Sequence, residues 1–352
     1  MIKTTYYQDL TKMNTFGMKV KARCFMEYDS VADLVDIEFE ELARPVLHIG
    51  GGSNLLFTDD FKGTVLHSKI DFIEVLDSCD GAAEDGPVLV SVGAGVVFDD
   101  FCDWAAKEGL WGVENLSYIP GEVGAAAVQN IGAYGVEVKD VIHTVYCYDT
   151  VEEEFVSIPV EDCEYGYRDS VFKDPEIKGR YIVTHVVFAL SRELRPRLDY
   201  GHLRDAVADA AQQADLTPAL IRKVIIRIRK EKLPEPSVMG SAGSFFKNPV
   251  VSAEHFARIE ASAKAEHGAD YKVPHYDLPD GVVKVPAAWM IEQCGWKGRR
   301  SGGAAVYEKQ PLVIVNYTGE AYPEEIIGLE RRIIESVKDK FGIELHPEVE
   351  HI

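Results

Sequence analysis

The ten-residue run Gly240–Pro249 sets one serine hydroxyl among small residues and follows it with two aromatic residues. Small residues allow a ligand to approach the backbone closely, and Phe245 and Phe246 can keep one side of Ser244 dry. A hydroxyl held in this way can donate a proton. A nucleophilic serine is not indicated, because the hydrolase elbow needs glycine two positions after the serine and Phe246 stands there. The alternative interpretation is a glycine-rich turn capped by a buried Phe pair.

A strand-like run that starts near Leu47 enters a glycine triplet that could cradle a phosphate group. The six residues of this loop are Gly50, Gly51, Gly52, Ser53, Asn54 and Leu55. Successive backbone N–H groups without side chains form anion-binding concavities, and a pyrophosphate would suit this one. An ordinary tight loop has the same composition, because glycine also marks turns. The local sequence leaves both interpretations open.

A second segment, from Ile119 to Gly135, is rich in glycine and alanine and could press its backbone against a flat ligand. Three of its residues bring hydrogen-bonding groups into this wall, namely Gln129, Asn130 and Tyr134. They favour a ligand over the alternative, a small-residue turn packed under a sheet. A Rossmann nucleotide site is not indicated nearby, because the Gly93-Ala-Gly95 sequence has Phe98 where the third glycine belongs.

Three further residues could contact a substrate. Arg168 stands between an aromatic and a polar residue, so it suits a bidentate carboxylate clamp or an ion pair with Asp169. Glu348, near the chain end, is either a solvated carboxylate on a strand or a site residue. Tyr200 belongs either to a loop turn or to a cover over a substrate. The local sequence decides none of these alternatives.

The composition is that of an acidic, folded protein. The chain has 352 residues, 46% of them hydrophobic, and a formal net charge of -21. This charge disfavours nonspecific binding to nucleic acid or anionic membranes, because such binding needs clustered Lys and Arg. The N-terminus has no apolar signal core, and no apolar run approaches the roughly 20 residues of a membrane span. We therefore expect a cytoplasmic protein that does not insert into membranes.

Cysteine usage gives no sign of a disulfide framework or a metal centre. The six cysteines stand at positions 24, 79, 102, 147, 163 and 294, with no Cys-x-x-Cys pairing and no histidine at metal-ligand spacing. We expect reduced, mostly buried thiols and no metal site.

Short β-rich runs broken by glycine dominate the first half of the chain. The strand-like runs are Arg44–Ile49, Gly63–His67, Pro87–Val92 and Val141–Tyr148. Helical spacing of apolar residues predicts helices over Val97–Glu108, from Thr217 onwards, and over Pro323–Lys340, with a strand-like end over Ile343–Ile352. This mixture predicts an α+β fold rather than a regular alternation of strands and helices.

The helix that begins at Thr217 has a clear apolar side. The residues expected to be buried are Leu220, Ile221, Val224, Ile225 and Ile228, and those expected to face outwards are Arg222, Lys223, Arg227 and Arg229. The helix stops before the Leu233-Pro-Glu-Pro236 sequence, whose prolines predict a domain boundary.

Taken in chain order, these motifs resemble the UDP-N-acetylenolpyruvoylglucosamine reductase (MurB) family, flavoenzymes of bacterial peptidoglycan precursor synthesis. The resemblance is carried by Asn14-Thr-Phe-Gly17, Gly50-Gly-Gly-Ser-Asn54, Ile119-Pro-Gly121, Gln129-Asn-Ile-Gly-Ala-Tyr-Gly135, Tyr167-Arg-Asp-Ser170, Gly243-Ser-Phe-Phe-Lys-Asn-Pro249 and Pro347-Glu-Val349. It implies an α+β fold with a two-part FAD-binding region (PCMH/vanillyl-alcohol-oxidase-like), followed by a smaller α+β substrate-binding domain. We expect the FAD-binding subdomains at 1–67 and 68–232 and the substrate-binding domain at 233–352.

The resemblance also implies the ligands and the residue roles. NADPH would be the hydride donor, and FAD would be bound noncovalently by the six loop residues and by Pro120, Gly121, Gly124, Ala125, Gln129, Asn130, Gly132 and Ala133. Ser244 would protonate the substrate, while Arg168 and a protonated Glu348 would lie around its carboxylate. The UDP-sugar would be held by Tyr134, Tyr200, Lys232, Asn248, Tyr276 and Gln310.

Three expectations and two alternatives complete this interpretation. Tyr200 is similar to the substrate-loop tyrosine of the longer subclass of the family. The chain ends at Ile352, four residues beyond Glu348, so we expect that any C-terminal strand returning to the first domain is missing. We expect a monomer. An FAD-dependent oxidase of the same superfamily and a catalytically silent UDP-sugar-binding protein remain alternatives.

Overall fold

The structure is a computed structural model that describes residues 1–76, 86–212 and 214–352. In chain order its strands are β1 (Lys3–Asp9), β2 (Lys21–Tyr28), β3 (Val46–Ile49), β4 (Leu55–Leu56), β5 (Phe61–Ser68), β6 (Ile73–Val75), β7 (Val88–Gly93), β8 (Gly132–Ala133), β9 (Val136–Glu137), β10 (Ile142–Asp149), β11 (Glu154–Pro159), β12 (Tyr181–Leu190), β13 (Gly240–Ser241), β14 (Val250–Ser252), β15 (Tyr276–Asp277), β16 (Val282–Lys284), β17 (Arg300–Ser301), β18 (Ala304–Val306), β19 (Ile314–Asn316) and β20 (Glu350–His351). Its α-helices are α1 (Val31–Val35), α2 (Phe98–Lys107), α3 (Val123–Gln129), α4 (Leu203–Ala211), α5 (Pro218–Lys232), α6 (Ala253–His267), α7 (Ala287–Gln293) and α8 (Pro323–Phe341).

The chain forms two units. The first unit contains residues 1–10, 21–52 and 60–231, and the second contains residues 11–20, 53–59 and 232–352. Most strand pairs in both units are antiparallel and the helices do not alternate regularly with the strands, which confirms the predicted α+β class. The boundaries at 67 and 232 stay a prediction.

The first unit has a four-stranded sheet in the order β1-β2-β5-β3. β1 pairs antiparallel with β2, whereas β5 lies parallel to both of its neighbours. In the β3–β5 pair Ile49 lies opposite His67. Strand β3 lies at the edge of this sheet and leads directly into the triplet Gly50–Gly52.

A five-stranded sheet, in the order β11-β10-β12-β7-β6, forms the other layer of the first unit. Helix α2 buries Phe98, Phe101, Cys102, Ala105 and Ala106, as its apolar spacing predicted. The ring of Phe101 lies 4.6 Å from that of Phe188 on β12, measured between centroids. Helix α3 is part of the same buried core, so the small-residue segment is held rigidly against the sheet.

The second unit contains the sheet β13-β19-β18-β17, the sheet β14-β16-β15 and the pair β4-β20. Helix α8, predicted from its apolar spacing, buries Ile326, Leu329, Ile333 and Val337. β13 pairs with β19, and the backbone N–H of Ser241 donates to Thr15 O at 2.9 Å. The run that contains Ser244 starts from this anchored strand.

Two arginines of helix α5 contradict the prediction that they face outwards. The helix begins as expected, since the hydroxyl of Thr217 accepts the N–H of Leu220 at 3.2 Å. The side chain of Arg222 is only 11% exposed and pairs with Asp99, while Arg229 donates to the carbonyl of Tyr118 at 3.1 Å. The two arginines stand seven positions apart and therefore share one side of the helix, which the first unit covers.

The expectation that the C-terminal strand is missing is also wrong. β20 pairs parallel with β4, with Glu350 opposite Leu55 and His351 opposite Leu56. The backbone N–H of Thr58 donates to the carbonyl of Ile352 at 2.9 Å. The strand lies within the strand-like end predicted over Ile343–Ile352, and the partner strand β4 is set by the tertiary fold.

We predict that Gly240→Ala destabilises the protein. A Cβ atom at Gly240 would lie 2.2 Å from the carbonyl oxygen of Phe16, so the backbone at β13 must shift, at a cost of about 1–3 kcal/mol. The matched control is Gly328→Ala on α8, where a Cβ meets nothing within 4 Å and alanine favours the helix by up to about 1 kcal/mol. The thermal unfolding midpoint should fall in the first variant only. Equal midpoints for Gly240→Ala and the unsubstituted protein would contradict the close approach of Phe16.

Candidate active site

The two glycine-rich segments predicted from sequence meet in the first unit. A Cβ atom at Gly51 would lie 3.3 Å from the Cα of Gly121, and one at Gly50 would lie 3.0 Å from the Cβ of Ala125. Both contacts are tight, so the backbones touch with no room for side chains. The triplet and the Ile119–Gly135 segment thus form one surface of main-chain atoms. We call it the glycine surface, and its contacts join Gly50 and Gly51 to Gly121 and Ala125.

Helix α3 supplies the rest of this surface with small side chains. A Cβ at Gly124 would lie 2.9 Å from the Cβ of Ala94, and the N–H of Gly124 donates to the carbonyl of Ala94 at 3.0 Å. The helix ends at Asn130, whose φ of 45° is left-handed, a conformation that Asn tolerates better than most residues. The N-terminus of α3 is therefore packed against the chain, and its exposed face carries little more than methyl groups.

A buried histidine, His67, contacts Glu122, which lies next to the glycine surface at Gly50. The Nε2 of His67 lies 3.0 Å from Oε1 of Glu122, and its Nδ1 lies 3.3 Å from Oε1 of Glu27. His67 and Glu122 are both buried, and the other oxygen of Glu122 would touch a Cβ placed at Gly50. Sequence reasoning missed this cluster. The sequence signal that could have indicated it is Glu122, the one charged residue in the Ile119–Gly135 segment.

Arg168 lies beside the carboxyl end of the wall. Gly166 and Asp169 exchange two backbone hydrogen bonds, of 3.0 and 3.2 Å, which places Arg168 in a tight turn with a φ of 55°. A non-glycine residue in this region is strained, and such strain persists where the surroundings enforce it. The guanidinium donates to the carbonyls of Gly132 at 2.7 Å and Asn130 at 3.3 Å. The structure therefore brings Arg168 together with two predicted cofactor-binding residues, Asn130 and Gly132.

Tyr134 and Tyr200, both predicted to hold the sugar nucleotide, also meet. Their ring centroids lie 6.0 Å apart at an interplanar angle of 81°, an edge-to-face contact. The positive charge of the Arg229 guanidinium acts on the phenol of Tyr134. Burial raises the pKa of Tyr134, and the arginine charge opposes that rise. Burial also lowers the pKa of Arg229, yet an arginine remains charged at neutral pH. Arg229 is thus a half-buried cation, which the sequence analysis expected on the outward side of α5.

In the second unit Ser244 and Glu348 come from adjoining segments. The backbone N–H of Glu348 donates to the carbonyl of Phe245 at 2.8 Å, and Phe246 forms a bridge with Pro347. Phe245 and Phe246 are buried, whereas Ser244 is exposed. The buried Phe pair agrees with the alternative interpretation, a capped glycine-rich turn, and proton donation by Ser244 stays a prediction.

The second half of the Gly50–Leu55 loop contacts the segment that contains Glu348. The side-chain amide of Asn54 donates to the carbonyl of Glu348 at 3.1 Å, and the backbone carbonyl of Asn54 accepts the N–H of Glu350 at 3.0 Å. Leu55 continues into β4. Of the six predicted loop residues, the first three lie in the first unit and Ser53, like the two residues after it, lies in the second.

The remaining predicted sugar-nucleotide contacts are scattered over the second unit. Asn248 accepts the N–H of Ala287 at 2.9 Å and so holds the start of α7. Gln310 lies in the loop before β19. The same loop contacts the residue after Ser244, because the carbonyl of Leu312 accepts the N–H of Phe245 at 2.8 Å. Two others lie at the surface, namely Tyr276, which is 44% exposed, and Lys232 at the end of α5.

The residues of the glycine surface fit FAD. Bare backbone at Gly51 and Gly121 suits a pyrophosphate, and the methyl-sized side chains of α3 suit a flat ring. Of the predicted FAD-binding residues, Gly50, Gly51, Gly121 and Ala125 meet at this surface, and Gly124 and Gln129 belong to α3.

Other site types find no support in the described residues. Among residues 1–76, 86–212 and 214–352, no group of three His, Cys, Asp or Glu side chains is arranged to hold a metal ion. No helix in the same residues is long and apolar enough to cross a membrane. Five cysteines are free thiols, four of them buried, and Cys79 lies outside the described residues.

Comparison with known proteins identifies the family. A family model described as the C-terminal domain of UDP-N-acetylenolpyruvoylglucosamine reductase matches residues 235–352, and one described as an FAD binding domain matches residues 23–153. The UDP-N-acetylenolpyruvoylglucosamine reductase of Bacteroides fragilis strain YCH46 is 49% identical over 344 residues, covering 97% of this chain and 98% of the relative. The enzyme of the same name from Neisseria meningitidis serogroup C is 44% identical over 345 residues, covering 97% and 96%.

A solved structure agrees at the level of the fold. The crystal structure of UDP-N-acetylenolpyruvylglucosamine reductase (MurB) from Thermus caldophilus superimposes with a TM-score of 0.64 at 23% identity, covering 100% of this chain and 98% of that chain. The predicted family and the predicted order of an FAD-binding region before a second domain are therefore confirmed. With nearly half of its residues identical to a full-length relative, the chain belongs to the UDP-N-acetylenolpyruvoylglucosamine reductase family.

Proposed function

We propose that this protein is an NADPH-dependent flavoenzyme that reduces the enolpyruvyl double bond of UDP-N-acetylenolpyruvoylglucosamine. The product would be UDP-N-acetylmuramate, a peptidoglycan precursor. The observation that carries the proposal is family identity over 97% of the chain, together with an exposed serine and a carboxylate on adjoining segments. An FAD-dependent oxidase would fit residues 23–153 but not the match over residues 235–352. The match of an FAD binding domain over residues 23–153 disfavours a catalytically silent UDP-sugar-binding protein, which would not need that domain.

The reaction adds one hydride and one proton across a carbon–carbon double bond. When bound, FAD supplies the hydride, which it receives from NADPH, and the terminal methylene carbon of the substrate accepts it. The electron pair of the double bond then moves towards the adjacent carbon and the carboxylate of the pyruvyl group. One proton delivered to that carbon completes the reduction.

Ser244 is the proposed proton donor. Its hydroxyl is exposed on a turn whose backbone is fixed by the buried Phe245 and Phe246. A positioned donor of this kind typically contributes about 10²- to 10⁴-fold to a proton-transfer step. The rigid support matters because the donor must meet one carbon of the substrate and not the other.

Arg168 and Glu348 are proposed to stabilise the negative charge that develops on the substrate carboxylate. A fixed cation interacts more strongly with the enolate-like state than with the ground state, and such differential binding accelerates the step. An ionised Glu348 would repel the same charge, so Glu348 is proposed to carry a proton in the reactive complex.

Six residues are proposed to hold the sugar nucleotide, with Tyr200 as the substrate-loop tyrosine of the longer subclass. They are Tyr134, Tyr200, Lys232, Asn248, Tyr276 and Gln310. The contact between Tyr134 and Tyr200 supports their shared role, since aromatic edges can cover a sugar while leaving hydroxyl groups for hydrogen bonds. We further propose that the protein acts as a monomer in the cytoplasm, where its free thiols stay reduced.

We predict that FAD is bound without a covalent bond. The loop from Gly50 to Asn54 contains neither histidine nor cysteine to form such a bond. Acid precipitation of the purified yellow protein should release all flavin absorbance into the supernatant. Flavin that stays in the pellet would refute this prediction.

A second prediction concerns the order of binding. Because the chain has no Rossmann fingerprint for a separate nucleotide site, NADPH and the UDP-sugar should use one site in turn. Initial rates measured against both substrates should give parallel double-reciprocal lines, with inhibition at high concentrations of the enolpyruvyl sugar. Intersecting lines would mean that both substrates bind together, contrary to a shared site.

A third prediction separates proton delivery from hydride supply. In Ser244→Ala, reduction of the flavin by NADPH should be nearly unchanged, since that half-reaction needs no proton from Ser244. Reoxidation by the enolpyruvyl sugar should slow by about 10²- to 10⁴-fold. Stopped-flow absorbance of the flavin measures each step separately. An unchanged reoxidation rate would remove Ser244 from the mechanism, and equal loss of both steps would indicate a collapsed turn.

A further inference from the structure

The main chain around Glu348 is held from two sides within the second unit. On one side the N–H of Glu348 donates to Phe245 O at 2.8 Å, and the N–H of Lys247 donates to His346 O at 2.9 Å. On the other side the side-chain amide of Asn54 donates to the carbonyl of Glu348 at 3.1 Å. The peptide groups before and after the Glu348 side chain are therefore both fixed.

The two sides differ in the kind of contact they make. Phe245 and Lys247 use backbone atoms, which any residue could supply. Asn54 uses its side chain, and a side-chain N–H donor of this length and at this position is available from few residue types. The carbonyl of Glu348 lies in the planar peptide that follows its Cα, so a bond to this carbonyl helps to hold the Cα from which the carboxyl side chain extends.

We propose that Asn54 is a positioning residue for Glu348. The inference rests on the proposed function, in which Glu348 acts at the substrate carboxylate. The sequence motif placed Asn54 among the cofactor-binding residues, but its amide hydrogen in the structure points to the catalytic carboxyl segment. Asn54 thereby links the Gly50–Leu55 loop to the position of Glu348.

The neighbouring contact at Thr58 supplies a matched control. The hydroxyl of Thr58 donates to the carbonyl of Ile352 at 2.7 Å, so it holds the same C-terminal segment from the same side. It does not contact Glu348. A residue that only stabilises the pairing of β4 with β20 should behave like Thr58, and a residue that orients Glu348 should not.

The experiment compares Asn54→Ala with Thr58→Val in the flavin-loaded, full-length protein. Flavin reduction by NADPH and flavin reoxidation by the enolpyruvyl sugar are measured by stopped flow. We expect Asn54→Ala to slow reoxidation by about 10- to 100-fold, because displacement of a reacting group by about 1 Å costs on this order. Flavin content and reduction should change by less than about 3-fold in the same variant, and both half-reactions should stay within about 2-fold in Thr58→Val.

A double-mutant cycle shows through which residue Asn54 acts. Glu348→Gln removes the carboxyl group, so the proposal expects Asn54→Ala to add little further loss of reoxidation rate in that background. Residues that act as a unit are non-additive in this way. Full additivity of the two losses would overturn the proposal.

A readout independent of turnover follows the backbone itself. In the flavin-free protein, amide hydrogen exchange of residues 346–352 should rise in both Asn54→Ala and Thr58→Val, because each loses one bond to this segment. If Asn54→Ala does not fold, Asn54→Asp, which keeps the shape and lacks the donor, is measured in its place. Unchanged exchange in the Asn54 variant would overturn the contact on which the proposal depends.

Each remaining outcome has one meaning. Lost flavin or slowed reduction in Asn54→Ala would assign Asn54 to the cofactor and overturn its role at Glu348. An equal loss of reoxidation in Thr58→Val would assign the effect to the strand pair as a whole. Failure of the unsubstituted protein to reoxidise with the enolpyruvyl sugar would overturn the proposed function, and this is seen before any variant is compared.

Discussion

Main-chain hydrogen bonding across three distant segments is the constraint on which the second unit depends. Residues 346–352 lie between the Asn54–Thr58 segment on one side and Phe245–Lys247 on the other. Each bond contributes only about 0.5–1.5 kcal/mol, but together they fix the positions of all three segments. Because these contacts use backbone atoms, the side chains of Ser244 and Glu348 are not needed to hold the segments and are available for the proposed proton delivery and charge stabilisation.

The first unit uses a related device, the direct contact of backbones that carry no side chains. Gly51 against Gly121 joins two segments that are far apart in sequence, and the buried pair of His67 and Glu122 supports them. Two arginines contribute charge to this otherwise acidic chain, Arg168 beside the glycine surface and Arg229 beneath Tyr134. A half-buried guanidinium keeps its charge, and this makes it a suitable partner for anionic groups.

The roles proposed for these residues follow from where charge appears during the reaction. Hydride addition leaves negative charge near a carboxylate, and a cation or a proton donor acts on that charge most strongly when it is held in advance. Two features would provide such prior positioning. The backbone at Arg168 is strained, and the backbone N–H and carbonyl of Glu348 are both hydrogen-bonded. In both cases the backbone is held in place before the substrate binds.

The sequence by itself determined the family, the α+β class, the helices α2, α5 and α8, and the bare backbone of the two glycine-rich segments. These features are local, since glycine content, apolar spacing and ordered motifs are all read along the chain. Tertiary structure alone decided that Arg222 and Arg229 are covered, that β20 pairs with β4, and that the amide of Asn54 meets Glu348. These contacts join residues far apart in sequence, and the partner that a polar side chain finds depends on which segments the fold brings beside it.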